Sequence, residues 1–165
     1  MWIRAETRAD HDAIRRVTEA AFAGAAHAAG NEARIVDALR AARLLSVSLV
    51  ADIDGRIAGH VALSPVSLGD GTAGWYGLGP VAVDPRDQGH GVGSALVRAA
   101  LAELPALGAR GCVVLGDPAY YARFGFRRHP GLRYPGAPAE YFMALALHGA
   151  PPEAVVAYPP AFATA

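Results

Sequence analysis

The amino-acid sequence predicts an α/β (α+β) fold, a mixed sheet flanked by helices. Three observations carry this. Segments with helical spacing interleave with short apolar runs in the order β-α-α-β-β-β-α-β-α-β. An Asp-Gly pair at 54–55 separates two apolar runs, which is the favoured two-residue hairpin turn. A strand over 75–83 passes through a glycine-rich loop into a helix and then into another apolar strand, the layout of a crossover between neighbouring strands.

The elements follow in order. Ile3 to Glu6 reads as a short opening strand. Thr7 with Asp10 three residues on forms a capping-box-like start, and Ile14, Val17, Ala21 and Phe22 recur behind it at helical spacing. A run of mostly small residues, Ala23 to Gly30, leads to Asn31, a good N-cap, and a second helix with Ile35, Leu39 and Ala42 on one side. Strands follow over Ser48 to Ile53 and Arg56 to Val66, then a turn at Gly69 to Gly74 and a strand from Trp75 to Val83. Gly77, Gly79 and Pro80 inside that strand predict a bulge or a break in pairing. Val92, Leu96, Ala100, Leu104 and Leu107 mark the buried side of the next helix, which Gly108 and Gly111 end. Cys112 to Leu115 reads as a buried strand, Ala119 to Phe124 as a short helix stopped by Gly125, and Phe142 to Leu147 as a closing strand. Residues 1–148 are expected to form one domain, with 149–165 a tail that packs on it through Val155, Val156 and Tyr158.

Composition narrows the function. Hydrophobic residues make up 53% and charged ones 18%, the balance of a folded globule. No apolar run reaches the roughly 20 residues of a membrane span, and Met1 to Glu6 lacks the layout of a signal peptide. A cytoplasmic protein with no membrane partner is expected. Fifteen basic and fifteen acidic residues cancel, which argues against nucleic acid as the partner. All the basic residues are arginine, so a P-loop and Schiff-base chemistry are excluded. The single Cys112 forms no internal disulfide or cysteine metal cluster and reads as a core residue; six scattered histidines with no i, i+4 pair predict no metal site.

The informative stretch is Leu78 to Ser94. Gly89, Gly91 and Gly93 leave the backbone bare where a helix begins. The first N–H groups of a helix lack intrahelical partners and carry the positive end of its dipole, so they attract phosphate. A dinucleotide fingerprint is the first rival, with Asp117 as its ribose-binding acid. Yet Gly91 to Leu96 lacks the third glycine, and Asp84 to Gln88 separate the strand from Gly89, where that fingerprint turns directly off its strand.

Gln88-Gly89-His90-Gly91-Val92-Gly93 instead matches Q/R-x-x-G-x-G/A, and the strand Leu78 to Pro85 before it resembles the bulged strand that accompanies this signature in the GNAT N-acetyltransferase superfamily. Downstream, Asp117-Pro118-Ala119-Tyr120-Tyr121-Ala122-Arg123-Phe124-Gly125-Phe126 resembles the family's second, aromatic-Tyr-x-x-x-Gly-Phe run. The order of elements agrees over about residues 2 to 148. The resemblance, to a bacterial single-domain member, implies a mostly antiparallel central sheet with splayed middle strands and acetyl-CoA as co-substrate. It implies that backbone N–H groups of Gln88, Gly89, His90, Gly91, Val92, Gly93 and Ser94 hold the pyrophosphate. His90, where many relatives carry a basic residue, either reaches the 3′-phosphate or faces solvent. The backbone at Val81, Ala82 and Val83 would bond pantetheine as a pseudo-strand, while Asp117, Tyr120 and Phe124 border the cofactor.

Tyr121 aligns with the tyrosine that donates a proton to the departing thiolate, and its alternative is aromatic packing beside Tyr120, Phe124 and Phe126. The base stays open among Glu32, His60 and water. Glu32 also reads as a first-turn acid and His60 as a hydrogen-bonded strand residue; His27 is unplaced. The resemblance thus implies an N-acetyltransferase moving acetyl to a small-molecule or peptide amine by direct attack in a ternary complex. The alternatives are a non-catalytic acyl-CoA-binding or sensing module and, third, a nucleotide-binding regulator. A homodimer is common among relatives and unreadable from this sequence.

Overall fold

A computed structural model describes residues 1–25 and 28–163; His27 lies outside the described residues. The chain opens with β1 (Trp2–Ala5), α1 (His11–Phe22), α2 (Glu32–Ala41), β2 (Val47–Ile53), β3 (Arg56–Pro65), β4 (Ser67–Leu68) and β5 (Trp75–Val83). It continues through α3 (Val92–Ala102), β6 (Gly111–Leu115), α4 (Pro118–Tyr121), β7 (Leu132–Arg133), β8 (Phe142–Ala146) and β9 (Ala154–Ala157). Six strands form the main sheet in the order β1-β2-β3-β5-β6-β8. Every neighbouring pair is antiparallel except β5 with β6.

Local chemistry accounts for the joins. Asp54 and Gly55 both take positive φ (52° and 84°), as a right-twisted two-residue hairpin requires. The Thr7 N–H donates to the Asp10 carboxylate at 2.7 Å, but this pair closes a 3-10 turn over Arg8–Asp10, and α1 starts only at His11. Asp10 also receives Arg4 at 2.7 Å, which holds its carboxyl well below the usual range.

Alternation along β2 sorts the core. Leu49 and Ala51 join the cluster under α3, whereas Val50 between them packs with Ile14 of α1 and Val36 of α2. The sheet is therefore covered on both faces, and α3 contributes Val92, Leu96, Val97 and Ala100 to the larger cluster.

Several sequence expectations shift. The helix predicted through Leu107 ends at Ala102 and resumes as a 3-10 turn over Pro105–Leu107, because Pro105 has no N–H to continue the ladder. Ala42 falls beyond α2 and is exposed; Ala33 and Val36 join Ile35 and Leu39 on its buried side. A second sheet, β4-β9-β7, was not foreseen: its two flanking strands have two residues each, too short to show a period. Its central strand β9 pairs with β4 on one side and β7 on the other, burying Ala154 and Val156 while Val155 is exposed.

Candidate functional site

The site begins where β5 leaves β6. The two strands pair from Trp75↔Gly111 to Leu78↔Val114 and no further. Just beyond, Gly79 and Pro80 form the extra residue of a bulge against β3: Leu63 faces Leu78, but Val61 faces Val81. The Gly79–Pro80 peptide is cis, and Gly79 has φ 135°. β6 meanwhile stays with β8, and Gly116 N–H continues that side by donating to Tyr141 O at 3.0 Å. The two middle strands thus diverge.

Parity then decides which groups of β5 are free. Asp84 N–H donates to Ala58 O at 2.8 Å, so Asp84 and Ala82 turn their polar groups toward β3. Val81 and Val83 turn theirs to the open side. Ala82, expected beside them, instead aims its carbonyl at β3, where a Cβ on Gly59 would lie 2.8 Å from it, and its own methyl is buried. The Gln88 amide donates to Val83 O at 3.0 Å, which ties the loop to the open edge of the strand.

The loop beyond is a bare helix start. The Asp84 carboxylate accepts from Arg86 N–H at 3.0 Å and caps a 3-10 turn over Pro85–Asp87. Asp87 is held by Arg56 at 2.7 Å, fastening this turn to the β2–β3 hairpin. Gly89 and Gly91 take φ 79° and 85°, and a Cβ at either would meet nothing within 4 Å. The first bond back into the helix runs from Ala95 N–H to Gly91 O at 3.1 Å, so the N–H groups of Val92, Gly93 and Ser94 are the orphans of the helix start. Together with Val83, Tyr120 and Arg123 they border a cavity of about 320 Å³. Tyr120 crosses its wall: its hydroxyl lies 3.3 Å from Ser94 Oγ, and the Arg123 guanidinium stacks 4.5 Å from its ring centre.

Not every expected neighbour is here. His90 is exposed and outside this lining. Asp117 caps α4 by accepting from Ala119 N–H at 3.0 Å and borders neither this cavity nor the next. Phe124 packs against the core beneath Arg98, 5.0 Å from its ring centre.

A second cavity, about 350 Å³, lies where β5 and β6 part and includes Leu78 through Val81, Leu115 and Tyr121. Gly116 makes room for Tyr121, since a Cβ there would sit 2.3 Å from the ring. Tyr120 and Phe126 hold that ring edge-on at 5.0 and 6.0 Å between centroids. Burial, with Tyr120 adding to it, pushes the Tyr121 phenol up to about 12. It therefore keeps its proton throughout the neutral range.

Of the two candidate bases, the structure brings one to this cavity. Glu32 lines it, with its carboxylate accepting from Ala29 N–H at 3.0 Å and Gly30 N–H at 3.2 Å. His60 is fully buried elsewhere, 2.8 Å from Ser48 Oγ and 4.0 Å from the Glu6 carboxylate. Burial pushes it down to about 4, so it is neutral. Phe22, Ile35, Tyr134, Tyr158 and Phe162 complete the cavity; none of them has a role in the site on the sequence reading, because scattered apolar and aromatic residues look like core. Tyr158 lies over Gly77, where a Cβ would meet its ring at 2.8 Å; its sealed hydroxyl has no hydrogen-bond partner among the described residues. No cluster of three or more metal-ligating side chains occurs among the described residues, and no helix is long and apolar enough to cross a membrane.

A bare helix start beside an unpaired strand edge fits an extended ligand with a diphosphate at one end and amides along its arm. Comparison with known proteins agrees. The family model described as an acetyltransferase (GNAT) domain matches residues 45–128. An uncharacterized N-acetyltransferase of Escherichia coli K12, YhbS, is 37% identical over 146 residues, 86% of this chain and 84% of that protein. A crystal structure of a GNAT family acetyltransferase from Brucella melitensis in complex with acetyl-CoA superposes with TM-score 0.87 at 50% identity, covering 98% of this chain and 97% of the other. The E. coli YhbS structure in complex with CoA gives 0.85 at 32% identity, covering 99% and 92%.

Proposed function

Since this chain belongs to the GNAT acetyltransferase family, we propose that it transfers acetyl from acetyl-CoA to a primary amine by direct attack of the bound amine on the thioester. The observation that carries the reading is the parting of β5 and β6 beside a bare helix start, with Tyr121 in the gap. The N–H groups of Val92, Gly93 and Ser94 bind the diphosphate, and Gly89 and Gly91 let it approach. The outward backbone groups of Val81 and Val83 bond the amides of the pantetheine arm and polarise the carbonyl under attack. The phenol of Tyr121, held in its protonated form, gives that proton to the sulfur that departs. The ammonium sheds one proton to water, with Glu32 the carboxylate on the cavity wall to relay it, and the second proton of the nitrogen restores Tyr121. We infer the cytoplasm as the compartment of this activity.

Calorimetry with acetyl-CoA, followed by turnover of Tyr121→Phe, tests the reading. The variant is expected to bind acetyl-CoA as the parent does and to turn over about a hundredfold more slowly, the scale of a lost general acid. Unchanged turnover removes Tyr121 from the chemistry. Tight binding without transfer to any amine would favour an acyl-CoA-binding module instead.

A further inference from the structure

The second cavity carries a statement about the acceptor, one that rests on the acetyltransferase reading above. We infer that the acceptor is an amphiphilic primary amine: a single ammonium on a compact, aromatic-sized apolar body, with no carboxylate beside the amine and no second cation.

The charge pattern argues this first. Glu32 is the one carboxylate on the wall, and among the described lining residues there is no arginine or histidine. Nor does any arginine or histidine among the described residues pair with Glu32. Its two backbone donors, Ala29 and Gly30, leave further lone pairs to accept from a ligand. A carboxylate that borders an apolar wall and has no counter-ion among the described residues is a site for one cation. An α-amino acid would bring its own carboxylate beside Glu32 into a cavity whose described lining holds no cation; Arg15 and Arg34 border the neighbouring cavity that shares Phe22 and Glu32. A polyamine would bury a second ammonium with no acid to receive it.

The rest of the wall fixes the body. Phe22, Tyr134, Tyr158 and Phe162 surround the space, and aromatic faces favour both flat apolar groups and nearby cations. At about 350 Å³ the cavity is at the small end of ligand pockets, which run from roughly 300 to 1,000 Å³. Two of the four rings come from the C-terminal segment. Tyr134 and Tyr158 stand edge-on at 5.1 Å and Tyr158 and Phe162 lie tilted at 4.9 Å, so one aromatic wall ties the loop before β8 to the segment after β9.

The ammonium, paired with Glu32, loses one proton to solvent through that carboxylate and becomes a free amine. The nitrogen lone pair forms the N–C bond, and the C–S pair leaves with sulfur. Tyr121 gives sulfur its proton and is restored by the second proton of the nitrogen. The products are the N-acetyl amine, CoA thiol and one released proton.

The test uses the full chain with acetyl-CoA and three probes: 2-phenylethylamine, phenylalanine (the same body plus a carboxylate) and spermidine. The expected kcat/KM for 2-phenylethylamine exceeds that for either competitor by at least about tenfold. Glu32→Gln and, independently, Phe162→Ala raise its KM about tenfold, while acetyl-CoA still raises the melting temperature of both variants as it does the parent. Preferential acetylation of phenylalanine or spermidine overturns this inference and leaves the acetyltransferase reading intact. An equal KM in Glu32→Gln overturns the role of Glu32. Failure of the parent to bind acetyl-CoA overturns the underlying reading itself.

Discussion

The glycine cradle at the start of α3 and the aromatic cavity beside Tyr121 share one strand, β5, yet they are built in opposite ways. The cradle is a continuous stretch of main chain, Gln88 to Ser94, and the atoms proposed to bind are N–H groups that any sequence with glycines at the right places can offer. The cavity is an assembly of side chains from α1, α2, the bulge in β5, the end of β6, α4, the loop before β8 and the segment after β9. A ligand shared by a whole family can be gripped by backbone; a ligand particular to one member needs side chains, and those are free to change.

The contrast breaks if a change to one half damages the other. The largest effect is expected at Gly91→Val. Position 91 has φ 85°, where a β-branched residue is strained, and its side chain would enter the open space in front of the helix start. Isothermal titration should show acetyl-CoA binding weakened at least about tenfold, while KM for the amine, measured at saturating acetyl-CoA, stays within about twofold.

Val156→Ala sharpens the other side. Val156 is 2% exposed in the central strand of the small sheet, two residues before Tyr158. Loss of its two methyl groups costs about 1–2 kcal/mol of stability by denaturant unfolding. By loosening the wall that β9 carries, it should raise the amine KM severalfold with the acetyl-CoA affinity unchanged.

How much of each half was legible follows from the same difference. The cradle could be read because glycine spacing and a helix start are local, and positive φ at 89 and 91 is what those glycines supply. The break in β5 was legible from Gly79-Pro80 for the same reason. The cavity was not: Tyr134, Tyr158 and Phe162 meet only because β9 inserts between β4 and β7, two-residue strands without a period to detect. Within the second motif the structure gives two expected neighbours other partners. Asp117 is occupied in capping α4, and Phe124 stacks under Arg98.

The smallest effect concerns a residue that neither half uses. His60 is neutral in the fold with its value lowered to about 4, against about 6.5 when unfolded. The unfolded chain therefore binds the extra proton first as pH falls, so this stabilisation is complete above about pH 6.5 and is lost progressively toward about pH 4. Glu6, lowered by Arg40 and Ser48 despite its burial, acts in the same sense below its ordinary value. Thermal melts should fall between pH 7 and pH 5, and less so in His60→Gln; acetyl-CoA affinity should follow neither change.

The lone parallel pairing in the main sheet has a topological consequence. β5 and β6 lie side by side, yet the chain must travel out through α3 before Val114 can meet Leu78. The two rims of the gap are thus remote in sequence, and closing that circuit costs entropy before any contact repays it. A half-folded chain would carry the glycines without a groove in front of them. Occupancy by ligand then reports completion of the fold and draws the equilibrium toward it, by about 2.7 kcal/mol at a hundredfold excess over Kd.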